Sequence, residues 1–159
     1  MAQQGMKQVY VTRLTDVDTK DKEGVGTIRQ EGSSWYKYCL IQNATGTVAG
    51  AAGSLVSYFA GTGYANSRVV IKVADADTIP VGAGTLCGTC PGVSGTAYYG
   101  WVQVEGPVTV DTAITSAAAG KMFIMTTTDK TGAVSANAYD ARMGVCLNGT
   151  TSALLSCPL

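Results

Sequence analysis

The chain has 159 residues, the length of one ordinary domain, with 11 basic and 11 acidic side chains and no histidine. Zero net charge without an isolated Lys/Arg cluster gives no footprint for a phosphate backbone, so no nucleic acid partner is expected. The absent histidine removes the commonest general acid–base group and with it the Ser-His and Cys-His nucleophile pairs, so the sequence predicts no enzyme, no catalytic residues and no bound metal or cofactor.

Apolar residues make up 46% of the chain and charged residues 14%, against roughly 25% charged in ordinary soluble proteins, so much of the surface must be neutral. Twenty glycines with recurrent Thr, Ser and Val favour short strands joined by tight turns. The expected class is all-β: a compact barrel or sandwich of short antiparallel strands with an extended N-terminal arm. Residues 1–31 hold five basic groups (Lys7, Arg13, Lys20, Lys22, Arg29) and five acidic ones (Asp16, Asp18, Asp21, Glu23, Glu31). Residues 8–14 could make one strand, but residues 15–26 lack an apolar face at either period. The reading is an arm or mobile loop over 1–31, followed by a single β domain over 32–159.

From Trp35 the pattern changes. Tyr36, Tyr38 and Leu40 alternate with Trp35, Lys37 and Cys39, the period of a half-buried strand. Val69, Ile71 and Val73 alternate with Val70 and Lys72, and Trp101, Gln103 and Glu105 with Val102 and Val104. Met122-Phe-Ile-Met125 is apolar on both faces, which predicts a strand between two packed layers or under a neighbouring subunit. Ala141, Met143, Val145 and Leu147 are assigned to one face, opposed by Arg142, Gly144 and Cys146. A weak recurrence, at residues 51–56, 82–87 and 118–123, places small residues and a glycine before an apolar pair. It predicts three tight turns, each with a positive-φ glycine feeding a strand.

No apolar run approaches the roughly 20 residues of a membrane helix, and the Met1-Ala-Gln-Gln opening is not that of a signal peptide, so a soluble, cytoplasmically made chain with no membrane partner is expected. Five cysteines, an odd number, then read as free thiols serving as small apolar residues. Cys87-Gly-Thr-Cys90 has the spacing of a redox dithiol or half a zinc site. Zinc lacks a second ligand pair, unless folding brings up Cys146 and Cys157, and redox chemistry lacks a helix start in a βαβ unit. Structural thiols in a glycine-rich turn are the expectation. The acidic pairs Asp16-Val-Asp18 and Asp75-Ala-Asp77 read as solvated loops, and the glycine pairs Gly24-Val-Gly26 and Gly61-Thr-Gly63 match no phosphate-binding spacing. The sequons at Asn43 and Asn148 matter only in a secreted eukaryotic chain and are discounted.

Eight tyrosines, two phenylalanines, Trp35 and Trp101 remain as contact residues. Residues 98–101 pack three large rings into four positions. Alternate rings fill the core in one reading; in the other the outward ones anchor an interface.

The run Tyr98-Tyr-Gly-Trp-Val-Gln-Val-Glu-Gly-Pro107 resembles the capsid decoration, or cement, proteins of tailed bacteriophages. Gly26-Thr-Ile-Arg, Trp35-Tyr-Lys-Tyr and Ala51-Ala-Gly-Ser-Leu-Val look like that family's early strands. Val108-Thr-Val, Ala118-Ala-Gly-Lys and Arg142-Met-Gly-Val-Cys-Leu147 follow, so the resemblance covers about residues 24–159. It implies a small β protein that binds the major capsid protein on the outer surface of an assembled head, as a homotrimer, and braces the shell. Tyr98, Tyr99, Trp101, Gln103, Arg13 and Arg29 are the expected subunit or capsid contacts. The charged segment over 1–31 is expected to dock on the capsid protein or on a neighbouring subunit, so that deleting residues 2–24 would cost attachment and spare the trimer. Two rival readings remain. One is a receptor- or glycan-binding head-fibre or tail module with an aromatic shelf over residues 98–103; the other is a thiol or zinc enzyme using Cys87 and Cys90.

Overall fold

The computed structural model describes residues 9–60, 63–76, 80–137 and 140–157. The fold is all-β, as the composition requires. Its strands are β1 (Val17–Asp18), β2 (Ile28–Glu31), β3 (Ser34–Ile41), β4 (Leu55–Tyr58), β5 (Arg68–Val70), β6 (Gly82–Leu86), β7 (Tyr98–Thr109), β8 (Met122–Met125), β9 (Gly132–Val134), β10 (Arg142–Asn148) and β11 (Ser152–Ser156). One helical turn at Gly63–Asn66 and a 3-10 turn at Val73–Asp75 interrupt them.

Five strands close into a barrel in the order β3-β5-β4-β6-β7, with β7 returning to β3. The β3–β5 pair is parallel and the other four pairs are antiparallel. Closure removes the unpaired edges that an open sheet would expose. β7 makes this possible by its length. One of its edges is taken by β3 from Tyr98 to Glu105; the other is shared in succession by β1, β6 and β11. Beyond β11 the sheet continues through β10, β8 and β9 as a second layer.

The alternation read in β3 is the alternation of the barrel wall. Cys39 and Ile41 point inward with Val102 and Val104 of β7, while Tyr38 and Trp101 stand opposite one another on the outer face. Leu55, Phe123, Met143 and Leu155, each at most 1% exposed, join the two layers into one apolar cluster. Each such side chain contributes about 1.5–3 kcal/mol relative to leaving it in water. Gly82 sits where Met143 crosses between the layers, and a Cβ there would overlap the Met143 side chain.

All three glycines of the recurrence have positive φ: Gly53 (91°), Gly84 (137°) and Gly120 (78°). Gly53 and Gly120 lie in turns that feed β4 and β8. Gly84 instead lies inside β6, beside a register shift opposite Val56 and Ser57, so the motif there codes a bulge. A second bulge corrects the face assignment in β10. The register with β8 shifts between Arg142 and Gly144, so Met143 and Cys146 are both buried while Val145 and Leu147 turn outward. The strand expected at 69–73 ends at Val70, and after a bend at 71–72 the 3-10 turn follows at Val73–Asp75.

The charged N-terminal segment also differs from expectation. Residues 1–8 lie outside the described residues. Residues 9–14 belong to no strand, but β1 pairs with β7 and β2 forms a hairpin with β3, so the expected boundary at 31/32 falls inside that hairpin. Two buried polar side chains fix the loop after β3. Asn43, 1% exposed, ties it to the chain at residues 71, 72 and 92. Asp75 accepts bonds from Ala44 N (2.8 Å), Thr45 N (3.1 Å) and the Thr45 hydroxyl (2.7 Å).

Burial by itself would raise the Asp75 pKa, but the Thr45 and Ala44 hydrogen bonds and the Lys72 charge outweigh it and hold the carboxyl below its usual 3.8. A folded pKa below the unfolded one means stabilisation that is complete above about pH 4 and is lost as pH falls through the lowered folded value. Asp75→Asn should therefore lower stability at pH 7 and flatten the acid limb of stability against pH below 4. Parallel acid limbs for the two proteins in denaturant titrations would contradict this.

Candidate interaction surfaces

The outer wall of the barrel at β3 and β7 is covered by the chain's own N-terminal segment. Trp101 is 1% exposed. Its ring meets Tyr38 edge-on at 5.1 Å and Tyr10 at 5.5 Å, and its indole N–H donates to the Thr12 hydroxyl at 2.9 Å. Arg29 lies 4.8 Å from the Tyr10 ring centre and 5.6 Å from that of Trp101, donates to the Thr12 carbonyl, and pairs with Glu31. Glu23 accepts from both the backbone N–H and the hydroxyl of Thr12. The segment is thus a strap held by polar bonds over an aromatic patch, with Glu23 bonded to Thr12, Arg29 paired with Glu31 and Lys22 with Asp18 inside the subunit.

Two glycines let the strap lie close. A Cβ at Gly88 would overlap the Thr15 carbonyl oxygen, and one at Gly100 would stand 3.2 Å from a Val17 methyl. At its start the strap turns two apolar side chains outward, Val9 and Val11 at 82% and 78% exposed, while Tyr10 and Thr12 turn inward; the exposed residues that follow are polar or charged.

These placements sort the expected contact residues. Trp101 and Gln103 are buried, so neither faces a partner; the strap consumes Trp101, and the Gln103 amide donates to the carbonyls of Glu105 and Pro107. Arg29 is committed to the aromatic stack. Tyr98 and Tyr99 are half-buried, with Tyr98 packed toward the core and Tyr99 opposite Leu40 and Asp18. Arg13 is exposed, its backbone N–H donating to Asp16. No aromatic shelf stands open over residues 98–103.

The two cysteines of the CxxC motif have different surroundings. Cys90 is 0% exposed in the core, bridged through its backbone to Gly50. Cys87 is half-buried and lines a groove of about 620 Å³ with Thr15, Asp16, Lys22 and Thr89. Burial pushes the Cys87 thiol up to about 12 and raises Cys90 as well. Both are protonated at neutral pH, the opposite of the lowered pKa that reactive or metal-binding thiols need. Among the described residues no three His, Cys, Asp or Glu side chains form a metal-holding group. Asp77 of the Asp75-Ala-Asp77 pair lies outside the described residues.

At a third surface the apolar run over 122–125, expected to be covered on both faces, buries Phe123 and Met125 and leaves Met122 outward. The outward face of the second layer carries Met122 and Leu147, each 42% exposed, and Leu154, 43% exposed. Apolar patterning of β8 was the available signal, but the β10 bulge hid which residues join it. Among the described residues, no helix is long and apolar enough to cross a membrane. Comparisons of the chain with protein-family models, curated proteins and solved structures found no match.

Proposed function

We propose that this chain is a capsid decoration protein, a non-enzymatic module that adds to the outer surface of an assembled phage head and binds the major capsid protein. The observation that carries this reading is the pairing of a low-charge surface with outward apolar side chains that folding leaves uncovered, Val9 and Val11 on the strap and Met122, Leu147 and Leu154 on the second layer. Such side chains in clusters mark interaction sites. The resembling run at residues 98–107 supports it further, because it forms β7, the strand on which both layers are built. A closed barrel with buried thiols suits a static bracing role.

The strap's outer face is the proposed capsid contact. Deleting residues 2–24 would uncover Trp101, so surface substitutions make the cleaner test. Val9→Asp with Val11→Asp should abolish co-sedimentation with heads assembled from a tailed-phage major capsid protein that the native chain binds, while thermal unfolding stays unchanged. Binding of the native protein to glycans but not to heads would overturn the reading. The glycan-shelf alternative is not carried forward, since Trp101 and Gln103 are buried.

A further inference from the structure

We infer that Asn148-Gly149, in the turn between β10 and β11, is a self-modification site at which the asparagine amide is lost and the main chain is re-linked through the side chain. The chain has four asparagines, and only Asn148 precedes a glycine. The nucleophile of the reaction is the backbone nitrogen of the following residue, and a glycine presents it with no Cβ in the way. Gly149 has φ +70°, and a Cβ built on it would meet no atom within 4 Å, so the turn stands clear of the rest of the molecule. Asn148, Gly149 and Thr150 are all exposed. Among the described residues, no hydrogen bond outside the β10–β11 ladder holds the Asn148 side chain or the Gly149 N–H. The other asparagines are less open. Asn43 is fixed by four bonds through its side chain and is followed by Ala44, whose N–H donates to Asp75; Asn66 precedes the buried Ser67, and Asn137 precedes an alanine.

Water is the only co-reactant. The Gly149 nitrogen attacks the side-chain carbonyl carbon of Asn148, Cγ, and forms a C–N bond to it; the Cγ–Nδ2 bond breaks, and ammonia leaves with the proton given up by the Gly149 nitrogen. The imide ring so formed then takes up water. Opening at the main-chain carbonyl leaves isoaspartate, in which the chain runs through Cβ and Cγ and is one carbon longer; opening at the other leaves aspartate. Both products carry a new negative charge at neutral pH. The longer one also disturbs the fold. Asn148 stands opposite Ser152, and just beyond it the carbonyls of Thr150 and Thr151 accept from Ile114 N (2.7 Å) and Val110 N (2.8 Å). These bonds fix the segment that leaves β7, where Val110 and Ile114 are each 1% exposed. A carbon inserted two residues before Thr150 displaces both carbonyls from their donors.

The inference does not rest on the capsid reading. The full native chain, held in mildly alkaline buffer where the Gly149 nitrogen gives up its proton more readily, is then cut with trypsin. The peptide 143–159 contains Asn148 as its only amide side chain. It should divide into the original form and two more acidic ones, of which the isoaspartyl form accepts a methyl group from isoaspartyl methyltransferase. Peptides carrying Asn43, Asn66 and Asn137 should accept none. Asn148→Gln, whose longer side chain closes the ring poorly, should lose methyl acceptance. The isoaspartyl protein, separated by ion exchange, should melt below Asn148→Asp, which has the same charge on a main chain of normal length. An unchanged 143–159 peptide, or methyl acceptance that appears only when the chain is first unfolded in urea, would overturn the site. An isoaspartyl form as stable as Asn148→Asp would overturn its coupling to Val110 and Ile114.

Discussion

Replacing Trp101 with alanine should cost about 3–5 kcal/mol of unfolding free energy, the range for deleting a large buried aromatic. Against a total of about 5–15 kcal/mol for a domain, this approaches the loss of the native state. The effect is large because Trp101 belongs to two structures at once, being a wall residue of β7 and the floor on which Tyr10 and Thr12 lie. Its removal leaves a cavity beneath the strap and deprives the Thr12 hydroxyl of its donor. Trp101→Phe separates these contributions: it keeps most of the ring and loses the N–H, so it should cost far less. Amide hydrogen exchange at Thr12, whose N–H donates to Glu23, should rise toward the unfolded rate in Trp101→Ala. A loss below 1 kcal/mol with Thr12 still protected would show that the strap holds without its floor.

Asn43→Ala should cost a similar amount, about 3–5 kcal/mol, for a different reason. The side-chain oxygen accepts from Ile71 N (3.0 Å) and Lys72 N (3.1 Å), and the amide nitrogen donates to the carbonyls of Gly92 (2.9 Å) and Val48 (3.2 Å). Two donors on one side and two acceptors on the other leave only one orientation for the amide. Alanine removes the partner of the Ile71 and Lys72 N–H groups and of the Val48 carbonyl at a site 1% exposed, while the Gly92 carbonyl keeps the Val48 N–H, and each group left without a partner costs about 1–3 kcal/mol. Asn43→Asp should be no better, because a carboxylate cannot donate to the Val48 and Gly92 carbonyls. Guanidinium unfolding midpoints measure both variants; a fully stable Asn43→Asp would refute the assigned network.

The same two residues show how far the sequence could be read. Trp101 was legible as a wall residue from its period-2 setting, and the all-β class followed from composition. Whether its outward face met solvent, a partner or its own chain was not legible. The covering residue Thr12 lies 89 positions away, and it is held there by Glu23, which accepts from its hydroxyl, and by Arg29, which donates to its carbonyl. Asn43 was legible only as a sequon, since its buried amide network draws on two distant backbone segments, at 71–72 and 92, and leaves no local pattern. Period-2 reasoning worked wherever strands run without interruption, as in β3 and β7. It failed at β10, because one bulged residue exchanges the two faces of everything beyond it.

The length of β7 governs when this protein can exist at all. A chain is made from its N-terminus, and β3 to β6 come out before the strand that closes them. Until residues 98–109 are available, β3 has no antiparallel partner on its barrel side, β6 has only β4, and the strap has no Trp101 to settle on. The second layer waits on the same strand, because β11 joins the barrel only through it. Closure therefore comes late and all at once, through contacts far apart in sequence, the condition that makes folding slow. A ribosome halted before Thr109 would hold apolar strands with no fold to bury them in.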